Sequence, residues 1–159
     1  MKKTQVLLVC ALHFIFFNLN AQSNDLERQL KEVEQKVIDW RRDIHQNPEL
    51  GNREFKTAAM IAKHLESLGI AVQTKVGITG VVGILKGGKQ GPVVALRADM
   101  DALVALERTA VLFASKIKIR YHEKEIVVMR AYGHAAQVAM CIGVVKILSG
   151  MSCKMYLIA

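Results

Sequence analysis

The chain has 159 residues, 52% of them hydrophobic and 23% charged, and 22 Lys and Arg against 14 Asp and Glu give a formal charge of +8. One domain of ~100–200 residues accounts for that length. The basic residues are scattered, with no stripe interleaved with aromatics, which speaks against a nucleic-acid partner.

The amino terminus, MKKTQVLLVCALHFIFFNLNAQS, has a basic start at Lys2 and Lys3, an apolar run from Val6 to Phe17 and a small residue at Ala21. That is the layout of a secretory signal peptide spanning residues 1–21. The run is well short of the ~20 apolar residues that cross a bilayer, so no stable membrane anchor is expected after cleavage. The expected product, 22–159, is exported to the periplasm or outside the cell. It keeps Cys141 and Cys153 with no CxxC pair, which makes neither a disulfide framework nor a structural zinc site.

Asn24 or Asp25 can cap a helix whose apolar positions Leu26, Leu30, Val33, Val37 and Trp40 recur at helical spacing. It should run to about Gln46 and stop before Asn47-Pro48, because the residue before proline avoids the helical region. A second helix from about Asn52 carries Phe55, Ala58, Ala59, Ala62, Leu65 and Leu68 and ends at Gly69. IAVQTKV and GVVGILKG read as a hairpin. PVVALRAD, continuous and β-branched, reads as a strand buried on both faces. Residues 116–121 and 125–129 flank the polar turn HEK as another hairpin. From His134, Val138, Cys141, Ile142, Val145 and Leu148 fit a helix ending near Gly150. The segment MSCKMYLIA after it is apolar and uncapped, with no closing element expected. The pattern predicts an α/β fold, helices packed on a mixed β-sheet.

Chemistry-bearing residues fall in three places. In ALRADMDAL, Asp99 and Asp101 follow a predicted strand, where open α/β sheets place ligands. Two carboxylates at this spacing on an extended segment face one side and suit a metal or its surroundings, although a capping and a turn aspartate give the same pattern. In RRDIHQNPELG, His45 and Glu49 bracket a helix end. A histidine there commonly compensates the helix dipole or packs, a direct site role being the alternative. In RAYGHAAQVAM, His134 alone qualifies well as a metal ligand, and zinc needs three or four of N, S or O type.

These segments, WRRDIHQNPELGNREFKTA, GITGVVGILKGG, GPVVALRADMDAL and GHAAQVAM, stand in an order and spacing that resembles the zinc-peptidase-like amidohydrolases. The nearest branch holds hippurate hydrolases, plant auxin-conjugate hydrolases and N-acyl-amino-acid amidohydrolases. The resemblance covers about residues 35–150. It implies hydrolysis of the amide of an N-acyl amino acid at a two-metal centre of zinc or manganese, with a glutamate as general base. Where the family reads H-A-C-G-H-D-x-H this chain reads RAYGHAAQ. His134 then matches a metal-binding histidine, Tyr132 replaces a cysteine ligand, Ala135 an aspartate, Gln137 the second histidine and Arg130 the leading histidine. Asp99, Asp101, His45 and Glu49 match positions that line the site. Arg130 adds positive charge beside a site meant for dications, and Asn52 and Arg53 replace an aromatic-acidic pair.

Family members are more than twice as long, and the general-base glutamate, the remaining ligands and a lid or dimerisation domain are expected beyond this chain's C-terminus. MSCKMYLIA does not match the family, and the join reads as a frameshift or premature stop. The expectation is an incomplete N-terminal part of a metallopeptidase-like catalytic domain, without hydrolytic activity. The alternative is a non-catalytic binding module for acyl-amino acids or a protein partner.

Overall fold

The computed structural model describes residues 25–87 and 92–151, and the backbone of 155–158. The expected signal peptide, 1–21, and its cleavage point lie outside the described residues. No helix among the described residues is long and apolar enough to cross a membrane.

The chain divides into two compact units, Met1–Glu34 and Gln35–Ala159. The described part of the first, residues 25–34, is helical. The Asp25 carboxylate pairs there with Arg28 at 2.6 Å, and Arg28 pairs in turn with Glu32 at 2.7 Å. Such exposed pairs contribute only about 0.3–0.5 kcal/mol each. Leu26 and Leu30, expected on an apolar face, are exposed.

The second unit opens in helix α1 (35–46). It stops where the sequence demands, with the Asn47 amide donating to the Asp43 carbonyl at 3.0 Å just before Pro48. Helix α2 (Phe55–Ser67) starts three residues later than its periodicity indicates, because Gly51 and Asn52 form a turn with Asn52 at φ +62°. Phe55 is consequently exposed, and Ile61, Ala62 and Leu65 form the buried stripe. The helix ends in a Schellman arrangement: Gly69 takes φ +72°, its amide donates to Glu66, and the Ile70 amide donates to Leu65.

Strands β1 (Ala71–Val76) and β2 (Gly80–Leu85) form the expected antiparallel hairpin. Strands β4 (Lys118–Tyr121) and β5 (Lys124–Val127) form the second, a separate two-stranded sheet turned by His122 and Glu123, both at positive φ. Helix α3 (His134–Ser149) runs over its expected length and buries Val138, Ile142 and Val145. These side chains, with Ile61, Leu65, Ile70 and Val81, make one core between the helices and a face of the sheet.

Two expectations are corrected. Strand β3 (Val94–Arg97) is not buried on both faces: Val94 is 53% exposed, because β3 is an edge strand paired on one side only. The apolar tail does not stay outside the architecture. Residues Met155–Ile158 form strand β6, which inserts between β2 and β3, antiparallel to the first and parallel to the second. The sheet order β1-β2-β6-β3 is mixed, as expected, but one of its two inner positions is filled by the segment that sequence pattern left unassigned.

Candidate functional site

Backbone stitching builds the site before any side chain does. The loop after β3 pairs with two distant segments: Leu50 bridges Ala102 and Leu103 bridges Met129. The Ala102 amide donates to the Glu49 carbonyl at 2.7 Å, and Leu103 and Met129 exchange bonds at 2.9 and 3.1 Å. Glu49, Asp101 and Arg130 each adjoin one of these stitches, so residues scattered over 80 positions of sequence become neighbours.

Glu49 is a helix cap. Its carboxylate accepts from the amides of Lys56 and Thr57 at 3.0 and 2.8 Å, in the first turn of α2, and from the Thr57 hydroxyl at 2.9 Å. Glu54, buried, accepts from the Thr79 hydroxyl at 2.6 Å. Arg130 runs into the same region. Only 2% exposed, it donates from Nη1 to the Met100 carbonyl and from Nη2 to the Thr57 hydroxyl at 2.8 Å. Burial pulls its pKa down, while the charges of Glu49, Asp101 and Glu54 oppose that pull. The sequence reading had this guanidinium beside the site as a repelling charge. It is also buried and bonded to Met100 and Thr57, which its identity as an arginine hid, since arginine is seldom buried.

His134 opens α3. Its Nδ1 lies 3.0 Å from the Asp101 carbonyl and 3.1 Å from the Asp101 carboxylate, two acceptors that assign a proton to Nδ1. Tyr132 and Gly133 enter the helix with successive left-handed conformations, φ +54° and +80°. That backbone carries the Tyr132 side chain outward, 82% exposed. Gln137 is exposed and Ala135 is buried without a donor. Asp99 turns to Arg97 at 3.0 Å. Asp99 and Asp101 nonetheless line one cleft, of about 310 Å³, with Glu54, Thr79 and Arg97.

His45 is placed elsewhere. Its Nε2 meets the Glu107 carboxylate at 2.7 Å, with the two side chains 15% and 5% exposed, and its ring packs edge-on against Phe113. Glu107 escaped the sequence reading because its partner is 62 positions away and ALERTA carries no local signal. The Thr109 hydroxyl at 2.7 Å, then His45, hold the Glu107 carboxyl down to about 2 against the opposing effect of burial. A carboxyl depressed on folding adds stability that is complete above its unfolded value, near 4.5, and is lost as pH falls through about 2. Urea midpoints of the natural chain should therefore fall between pH 5 and pH 2.5, and Glu107→Gln should flatten that fall. An unchanged slope in the variant would show that other carboxylates carry it.

The donor set does not fit a two-metal centre. Zinc requires at least three protein ligands. His134 offers one nitrogen, Tyr132 faces away, and Ala135 and Gln137 supply no anionic or imidazole donor. Among the described residues no three His, Cys, Asp or Glu are grouped so as to hold a metal ion.

The described residues thus form an α/β arrangement, helices packed on a mixed sheet, with an acidic cleft beyond the end of β3. The chain is 46% identical over 119 residues to thermostable carboxypeptidase 2 of Saccharolobus solfataricus, covering 74% of this chain and 28% of that protein. It is 40% identical over 125 residues to the N-acyl-L-amino acid amidohydrolase of Geobacillus stearothermophilus, covering 79% and 32%. Its fold superposes on the Bacillus subtilis YXEP protein, a dinuclear metal-binding peptidase of the M20 family, with TM-score 0.70 and 34% identity over 80% of this chain and 35% of that one. No family model matches. The chain is similar to M20 peptidases and amidohydrolases, and it spans about a third of the length of these relatives.

Proposed function

We propose that this chain descends from metal-dependent amidohydrolases acting on N-acyl amino acids but does not itself hydrolyse amides. The observation that carries this reading is the segment 130–137. At its ligand positions it presents a solvent-facing phenol, a methyl group and an amide, with His134 as the remaining imidazole. Loss of a metal nucleophile removes that source of activated water at neutral pH. A second reading, a binding module for acyl-amino acids, is favoured by the 310 Å³ cleft, where the exposed Arg97 guanidinium can meet a carboxylate. Export through residues 1–21 is part of the proposal, and amino-terminal sequencing of the secreted protein checks it, with a new terminus after Ala21 as the expected result.

The full chain, incubated with zinc or manganese and dialysed, should retain less than one equivalent of metal and release no glycine from hippurate. Saturable hippurate binding without cleavage would support the second reading. Equimolar tight metal together with hippurate cleavage would overturn the proposal.

A further inference from the structure

We infer that the turn at residues 111–114 is a membrane-surface contact. It seats Leu112 in the headgroup layer of a bilayer rich in anionic lipid, while Arg41 and Arg42 meet the lipid phosphates and carboxylates. The turn points one side chain out and the next one in. Its Ala114 amide donates to the Val111 carbonyl at 3.0 Å, closing a four-residue turn with Leu112 at the second position. Leu112 stands wholly in water, 101% exposed. Phe113 goes the other way, its ring meeting the His45 ring edge-on at 5.8 Å. The guanidiniums of Arg41 and Arg42 lie 5.4 and 5.5 Å from the centroid of that same ring. Both arginines are exposed, so two cations are fixed beside an uncovered apolar tip.

The loop around the turn is tied down without being buried. Glu107 holds His45 at 2.7 Å on one side of it, and the Ser115 hydroxyl donates to the Val128 carbonyl at 2.8 Å on the other. Between these anchors Val111 is exposed like Leu112, and so is Leu106 just before them. The charge is of one sign. Arg108 and Lys116 are exposed, and neither they nor Arg41 and Arg42 form an ion pair among the described residues. The acid of the loop, Glu107, is 5% exposed and is engaged by His45 and Thr109. Protein interfaces bury ~800 Å² per partner and keep charge away from their centre. Here the cations adjoin the apolar tip itself. A bilayer surface accepts that mixture, because apolar side chains reach the acyl boundary while Lys and Arg stay among anionic headgroups. One leucine tip with a few cations gives a reversible contact, not an anchor.

The full chain is mixed with vesicles of phosphatidylcholine alone, or of phosphatidylcholine and phosphatidylserine in equal parts, and the bound fraction is read by co-sedimentation. Binding is expected on the anionic vesicles and should fall away in high salt, as attraction between exposed charges requires. Leu112→Ser should weaken it about 10-fold, the scale of one leucine side chain. Arg41→Gln together with Arg42→Gln should weaken it about 20-fold. Residues 1–21 are the same in every variant, so differences between variants report the turn. All the replaced side chains are exposed, and an unchanged melting temperature separates loss of contact from loss of fold. Leu112→Trp supplies a direct reporter. Once the signal of Trp40, the one tryptophan of the natural chain, is subtracted, its emission should shift to the blue on anionic vesicles. No blue shift on vesicles that carry the chain overturns the proposal, as does equal binding to phosphatidylcholine alone or natural binding by Leu112→Ser. Failure to bind anionic vesicles overturns it too. A dimer in solution that Leu112→Ser dissolves would then give the turn to a second copy of the chain.

Discussion

Leu65→Ala is expected to lower the unfolding free energy by about 3 kcal/mol, inside the ~2–5 kcal/mol range for emptying a buried leucine site. Leu65 is 0% exposed and stands at the third-last position of α2, where the Schellman turn folds Ile70 back over it. Across from it on β2 is Gly83, whose hypothetical Cβ would lie 2.9 Å from Leu65 Cδ1 and 3.3 Å from Ile70 Cγ2. The glycine is thus the hollow that admits the leucine. Because that wall is backbone, it cannot relax inward when the leucine is shortened, and the cavity term is felt in full. Gly83→Ala alone should destabilise by overpacking, about 1–3 kcal/mol. Joined to Leu65→Ala, the added methyl enters the vacated space, and the double variant should be more stable than the sum of the singles implies. Urea unfolding of the four proteins measures this. Simple additivity would show that the two residues do not share a cavity.

The same residues show how far sequence carries. Leu65 and Gly69 were readable because helical spacing and a left-handed glycine leave local signatures. So were both hairpins, where apolar runs are cut by turn residues. Strand β6 was not, since four apolar residues after a helix have no periodicity to distinguish strand from tail. The exposure of β3 was misjudged for a related reason: hydrophobic continuity records what a strand can bury, whereas sheet position decides what it does bury. At the candidate site, sequence found the segments that come together, 49–50, 99–103 and 130–134, through their resemblance to the family. It could not find their roles. Glu49 caps α2 and His45 pairs with Glu107, relations set by tertiary contact over 8 and 62 positions. Arg130 was noticed as a charge beside the site, whereas its burial and its bonds to Met100 and Thr57 are set by tertiary contact.

Thr57→Val is the second large effect expected, a loss of about 2–3 kcal/mol, because two hydrogen bonds to charged groups are worth ~1.5–3 kcal/mol each and partial relaxation recovers some of it. The side chain is buried and valine matches its shape, so packing is preserved and only the hydroxyl is removed. That hydroxyl has one proton. Arginine can only donate, so Thr57 must accept from Arg130 at 2.8 Å and direct its own proton to Glu49 at 2.9 Å. The polarity is fixed by chemistry, which is why a side chain that can only donate could not serve as well. Loss of the hydroxyl leaves Arg130 with a second unpartnered nitrogen beside its buried Nε, whereas Glu49 retains its bonds to the Lys56 and Thr57 amides. The damage should therefore fall on the arginine. Thr57→Ser, which keeps the hydroxyl, should cost less than 1 kcal/mol by comparison, near the cost of one buried methyl group. With Arg130 already replaced by methionine, Thr57→Val should lose most of its effect, since the donor it orphans is gone. Chemical denaturation of the three single variants and the double decides it. A valine penalty that persists in full without Arg130 would mean that the hydroxyl serves Glu49 and the α2 cap, and that the buried cation is held by Met100 and by charge alone.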